Sequence, residues 1–137
     1  MMLYLDNAAT TLKKPLSVYA TLFKSTLFSG GNAGRGGHKM SMDAVRAIVD
    51  TQDLIAQLFN IKKAENIVFT QNATYALNTA ILGTMSNGGH IVVTEMDHNS
   101  VLRPACLPSN YTVVKADKSG YVHAEDVEKA VRKDTKL

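Results

Sequence analysis

Two short segments of this chain bring together residue types suited to anion binding and proton transfer: VFTQNAT at residues 68–74 and VTEMDHNSVLRP at residues 93–104. Each is a β-branched run that gives way to polar residues and then to helical spacing, which predicts two consecutive strand–loop–helix units of an open α/β sheet. Ligands of such sheets bind outside the carboxyl ends of the strands. Those ends carry Gln71, Asn72, Ala73 and Thr74 on one loop and Glu95, Asp97, His98 and Asn99 on the next, a polar cluster expected to face a common crevice.

A helix starting near Ala73 or Thr74 leaves its first N–H groups without intrahelical partners, and with the positive end of the helix dipole these favour an anion such as phosphate. The Thr74 hydroxyl offers one more donor. The competing reading is that Asn72 or Thr74 merely caps that helix, a role that contributes about 1 kcal/mol. His98 on the second loop is suited to general acid–base work or to lying flat on an aromatic cofactor, with a capping or surface histidine as its plain alternative. A metal centre is not expected, because His38, His90, His98 and His123 lack zinc-ligand spacing and Cys106 is the single cysteine.

The elements that must position these residues follow from periodicity and breakers. Residues 13–28 predict a helix with Pro15 near its start and Leu16, Tyr19, Leu22, Phe23 and Leu27 at helical spacing. The loop through Gly30, Gly31, Gly34, Gly36 and Gly37 carries little side chain and suits close backbone approach as a rim or hinge. Ser41 is the expected cap of a long helix to Phe59, whose Val45, Ile48, Ile55 and Phe59 face is expected to pack on a sheet before Asn60 ends it. A third strand is expected at residues 111–115, a turn at 117–120, and an amphipathic helix at 124–133 with Val127 and Val131 inward. Alternation of strand and helix then places the start of a further strand at residues 135–137, where the sequence stops, and this reads as a C-terminal truncation.

The 137 residues are 45% hydrophobic and 20% charged, within the range of one globular unit. The N-terminus lacks the basic and apolar regions of a leader, no apolar run suits a membrane span, and one cysteine excludes an internal disulfide, so a cytoplasmic setting is expected without a membrane partner. The net charge of +3 does not indicate nucleic acid. Lys13-Lys14, Lys62-Lys63 and Arg132-Lys133 are separate pairs without interleaved aromatic residues.

Four segments in order resemble the class V aminotransferase family of pyridoxal-phosphate enzymes, most closely its cysteine desulfurase branch. They are YLDNAATT (residues 4–11) followed by Lys14-Pro15, GGNAGRGGH (30–38) with Ser41, VFTQNATYALN (68–78) and TEMDHNSVLRP (94–104). The resemblance implies a three-layer α/β/α fold with a mostly parallel sheet, residues 1–137 being the N-terminal portion of the large domain of a fold-type I pyridoxal-phosphate transferase. It implies that Ala73 and Thr74 hold the phosphate of pyridoxal 5'-phosphate and that His98 covers the pyridine ring and transfers protons. It further implies that Asn7, Ala8, Ala9, Arg35 and His38 lie at the substrate, that the substrate is L-cysteine, and that a homodimer delivers sulfur to an acceptor protein.

Two departures qualify the resemblance. Desulfurase relatives often carry histidine one place before the arginine, where this chain has Gly34, which leaves another class V activity (transaminase, lyase or epimerase) open. The family's Schiff-base lysine, the aspartate on the pyridine nitrogen and the persulfide cysteine fall downstream of the matched region. Without them the expectation is a fragment with a phosphate pocket and no catalysis. Lys39 beside His38 reads as a solvated lysine and Cys106 as a partly buried, inert thiol.

Overall fold

A computed structural model describes residues 3–107 and 110–137. The chain divides into two compact units, Met1–Ile67 and Val68–Leu137.

In the first unit, Pro15 sets the chain into helix α1, Leu16–Phe28, with its φ of −54°. No residue of α1 is buried, and the apolar positions read from the sequence, Leu16, Leu22, Phe23 and Leu27 among them, stay exposed. Helix α2, Lys39–Leu58, stops where Asn60 takes the left-handed φ of 53°. There the Ile61 N–H donates to Ala56 O at 2.8 Å and the Asn60 N–H to Gln57 O at 3.3 Å. This is the paired bonding by which a left-handed residue satisfies the last carbonyls of a helix. Helix α2 packs on a 3₁₀ turn, Ala64–Asn66, fastened by the Gln52 amide donating to Ile67 O at 2.7 Å.

Two expectations for α2 need correction. Ile48 and Phe59 are exposed, Phe59 because it sits at the helix cap and no longer on the helical face. Ser41 is not the cap, a position taken by His38 without a side-chain bond; it lies inside the first turn, fully buried.

In the second unit, helix α3, Ala73–Met85, strand β1, Ile91–Thr94, helix α4, Asn99–Cys106, strand β2, Tyr111–Val114, and helix α5, Ala124–Ala130, follow in order. Strands β1 and β2 are parallel, in register from Ile91 opposite Tyr111 to Thr94 opposite Val114. The other edge of β1 is taken by the C-terminal residues. His90 N–H donates to Asp134 O, Lys136 N–H to His90 O and Val92 N–H to Leu137 O, each at 2.9 Å. The strand expected to begin at residues 135–137 is therefore engaged as a parallel neighbour, starting from the bridge between His90 and Thr135. The turn at residues 117–120 is also formed, closed by Asp117 N–H donating to Tyr121 O at 2.9 Å.

The core is Ile81 and Met85 of α3, Ile91 and Val93 of β1, and Ala105 of α4, with Val101, Leu102 and Val113 packed against it. Burying one such large aliphatic side chain contributes about 1.5–3 kcal/mol, so this cluster is what fastens α3 and α4 to the strands. The fully buried His90 ring links β2 to the C-terminal residues, with Nδ1 2.8 Å from Thr135 Oγ1 and Nε2 2.8 Å from Thr112 Oγ1.

Residues 68–70 do not form the expected strand. They run extended into α3, but no neighbouring chain pairs with them among the described residues, and Val68 is 79% exposed. Helix α5 is shorter than expected: it ends at Ala130, and Val131 turns extended and exposed. No helix among the described residues is long and apolar enough to cross a membrane.

Candidate active site

The site is built from the N-termini of α3 and α4. Asn72 adopts an extended backbone and its side-chain oxygen accepts the Tyr75 N–H at 2.8 Å, so the capping role belongs to Asn72. That leaves Ala73 and Thr74 as the first two helical residues. Their N–H groups donate to no acceptor among the described residues, and the Thr74 hydroxyl stands beside them. Two N–H groups, a hydroxyl and the positive end of a 13-residue helix form a donor set with the charge sign and hydrogen-bonding character of a phosphate site.

Helix α4 begins differently. His98 is its cap, and the imidazole itself does the capping: Nδ1 accepts from the Ser100 N–H at 3.1 Å and lies 2.8 Å from Ser100 Oγ. Both readings of His98 therefore bear on one ring. One nitrogen is fixed by the helix, and Nε2 has no partner among the described residues. Asp97 satisfies its own turn, accepting from Thr94 N–H at 2.7 Å and Thr94 Oγ1 at 3.1 Å.

Thr74 and His98 line one cavity of about 430 Å³, together with Asn78, Asn99, Ser100 and Arg103. The polar cluster read from the sequence is thus only partly convergent. Gln71 lines a different cavity with Val68, Phe69 and Tyr75. Glu95 is drawn to the neighbouring strand's end, 3.0 Å from Lys115 Nζ and accepting the Ala116 N–H at 2.7 Å. The Lys115 hydrogen bond, followed by the Ala116 N–H, holds the Glu95 carboxyl below its ordinary range. Asn78, Ser100 and Arg103 were not singled out from the sequence. The signal available for them was the one-turn spacing Thr74 to Asn78 and a cation within the His98 segment; Arg103 has no acidic partner among the described residues.

The remaining expected site residues belong to the first unit. Asn7, Ala8 and Ala9 form a turn closed by Ala9 N–H and Thr10 N–H on Asp6 O at 3.2 and 3.3 Å, over which the Tyr4 hydroxyl reaches Thr10 O at 2.6 Å. Asn7 lines a cavity of about 240 Å³ with Tyr4, Leu12 and Lys13. The glycine-rich loop is more tightly built than a hinge. Ser41 Oγ lies 2.7 Å from Asn32 O, 3.1 Å from Arg35 O and 2.8 Å from Gly36 O, so its proton has an acceptor in every direction. A Cβ on Gly31 would fall 2.3 Å from the Met40 backbone, a contact only glycine allows. Arg35 and His38 are both exposed. Lys39 is solvated as expected, its side chain 88% exposed and 2.7 Å from Asp43. Cys106 is exposed rather than partly buried, because it ends α4 beyond the buried Pro104 and Ala105.

Comparison with known proteins agrees with this architecture. The sequence profile of the aminotransferase class-V family matches residues 3–137. A probable cysteine desulfurase of Aeropyrum pernix is 39% identical over 105 residues, 74% of this chain and 25% of its own length. The cysteine desulfurase IscS of Dictyoglomus turgidum is 34% identical over 143 residues, 98% of this chain and 35% of its own. A solved NifS-like protein superposes with a TM-score of 0.85 at 26% identity, over 98% of this chain and 38% of its own length. The fold is accordingly the α/β fold of the fold-type I enzymes, with the parallel sheet and flanking helices expected. The chain spans about a quarter to a third of the length of these curated relatives. With its profile matched from residue 3 to residue 137, this chain belongs to the class V aminotransferase family.

Proposed function

We propose that residues 1–137 form the N-terminal portion of the large domain of a pyridoxal-phosphate enzyme that removes sulfur from L-cysteine, giving alanine and an enzyme persulfide. The observation that carries this reading is the single cavity lined by both Thr74 and His98. Ala73 and Thr74 hold the cofactor phosphate through two N–H groups and a hydroxyl. His98 covers the ring, held in place by the Ser100 N–H on Nδ1 and presenting its proton at Nε2. When bound, pyridoxal 5'-phosphate supplies the electron sink for breaking the Cβ–S bond. Asn7, Ala8, Ala9, Arg35 and His38 belong to the substrate side of the site, the two alanines admitting the substrate close to the backbone. The working form is a cytoplasmic homodimer that passes sulfur to an acceptor protein. The curated relatives named as cysteine desulfurases support this reading over another class V activity.

Titration of the chain with pyridoxal 5'-phosphate, followed at the Thr74 amide and the His98 ring by NMR, tests it. Saturable shifts at both are expected, weakened at the His98 ring by Thr74→Ala and at the Thr74 amide by His98→Ala. Binding elsewhere on the chain refutes the site.

A further inference from the structure

Asn78 stands one turn after Thr74 on α3 and donates twice from the same amide nitrogen. One bond goes to Thr74 O at 2.8 Å and the other, across to α4, to Ser100 O at 3.3 Å. The second bond answers a defect in α4. The carbonyl of Ser100 would ordinarily receive the N–H of the residue four places on, and that residue is Pro104, which has none. Pro104 is fully buried, and Ser100 is only 7% exposed, so little water reaches a carbonyl left short of a donor. Ser100 is also the residue whose N–H and hydroxyl hold His98.

We infer that Asn78 is a positioning residue that braces the phosphate-binding turn of α3 against the histidine-bearing turn of α4, setting the distance between the cofactor's two points of attachment. This rests on the reading of Thr74 and His98 given above. The brace has the right chemistry for the task. A carboxamide nitrogen carries two protons, one for each carbonyl, whereas aspartate at this position offers only acceptors to two acceptors. Pro104 creates the vacancy that the brace fills, since an ordinary helix would satisfy Ser100 O internally.

The test compares two probes on the full chain, pyridoxal 5'-phosphate and inorganic phosphate. Asn78→Ala and Asn78→Asp are expected to weaken pyridoxal 5'-phosphate about tenfold, because it must meet both turns, and inorganic phosphate by under about twofold, because it needs only the Thr74 turn. Pro104→Ala returns a backbone donor to Ser100 O, and in that background Asn78→Ala is expected to shift the His98 ring resonances less than it does alone. Equal loss of both probes, or no loss of either, overturns the brace. So does an Asn78→Ala effect on His98 that Pro104→Ala leaves unchanged. A wild-type chain whose Thr74 and His98 resonances ignore pyridoxal 5'-phosphate instead refutes the cofactor reading, while the Pro104 comparison at His98 still decides the brace.

Discussion

His98 Nδ1 accepts the Ser100 N–H at 3.1 Å, so the neutral ring carries its proton on Nε2. One side chain thereby starts a helix and presents a defined tautomer to the cavity it lines. The two roles separate by substitution. His98→Ala removes both and is expected to cost about 1 kcal/mol of stability, whereas His98→Asn keeps a capping acceptor and loses only the ring. Chemical denaturation with and without pyridoxal 5'-phosphate reads both effects. A His98→Asn protein as unstable as His98→Ala contradicts the capping assignment.

Asn72 and Thr74 divide capping and anion binding between them in the same way. Asn72→Ala removes the acceptor of the Tyr75 N–H and is expected to cost about 1 kcal/mol in thermal or urea unfolding. Thr74→Ala is expected to leave stability nearly unchanged and to weaken phosphate several-fold, measured by titration at the Ala73 and Thr74 amides. Reversal of that pattern would make Thr74 the structural residue.

The buried ring of His90 gives a test of the sheet itself. Thr135 Oγ1 accepts the Arg132 N–H at 2.7 Å and lies 2.8 Å from His90 Nδ1, while Thr112 Oγ1 lies 2.8 Å from His90 Nε2, so each ring nitrogen has one hydroxyl partner. Thr135→Val keeps the shape and leaves a buried ring nitrogen and the Arg132 N–H without their hydroxyl partner, at a cost of about 1–3 kcal/mol. The expected readout is a lower urea midpoint with loss of amide protection at His90 and Lys136. An unchanged midpoint means the hydroxyl contact between Thr135 and His90 contributes nothing to the sheet.

Much of this was legible in local sequence and some of it was not. The Asn60 stop, the turn at Asp117 and the loop-to-helix transitions at Ala73 and Asn99 rest on neighbours within a few residues, and the sequence pattern found them. Residues 68–70 have the composition of a strand yet pair with nothing among the described residues, because pairing is a property of a partner and not of the run itself. Ser41 departs from the expected capping role for a related reason. Serine just before a helical pattern usually caps, and only the folded loop shows three carbonyls converging on its hydroxyl. The bond from Asn78 to Ser100 joins residues 22 apart, beyond any local signal.

Acid sensitivity is expected in the turn that leads to α5. Hydrogen bonds from the Ser119 hydroxyl, then the Tyr121 and Ser119 N–H groups, lower the Asp117 pKa to about 2, with His123 Nε2 3.4 Å away adding to the effect. A folded pKa below the unfolded one stabilises the fold above the unfolded value near 3.8, and that contribution is lost as pH falls toward about 2. Following the Asp117 carboxyl by NMR should show a midpoint well below the ordinary aspartate value of 3.8. Asp117→Asn should flatten the acid limb of stability, and an ordinary midpoint for Asp117 would remove the basis for it.

The last expectation concerns lysine. The cavity shared by Thr74 and His98 is lined by Asn78, Asn99, Ser100 and Arg103 and by no lysine, and Lys39, beside the His38 that invites comparison with a His-Lys pair, is solvated and paired to Asp43 at 2.7 Å. An aldehyde held at this cavity therefore meets no positioned amine among the described residues lining it. Borohydride treatment of the 137-residue chain with pyridoxal 5'-phosphate should give scattered, substoichiometric labelling on peptide mapping, with no sulfide released from L-cysteine. Phosphate binding at Ala73 and Thr74 needs only local donors and should persist through the same experiment. Stoichiometric labelling of a single lysine, Lys39 above all, accompanied by sulfide release, would show that this segment carries its own covalent anchor and would move the reacting centre into the first unit.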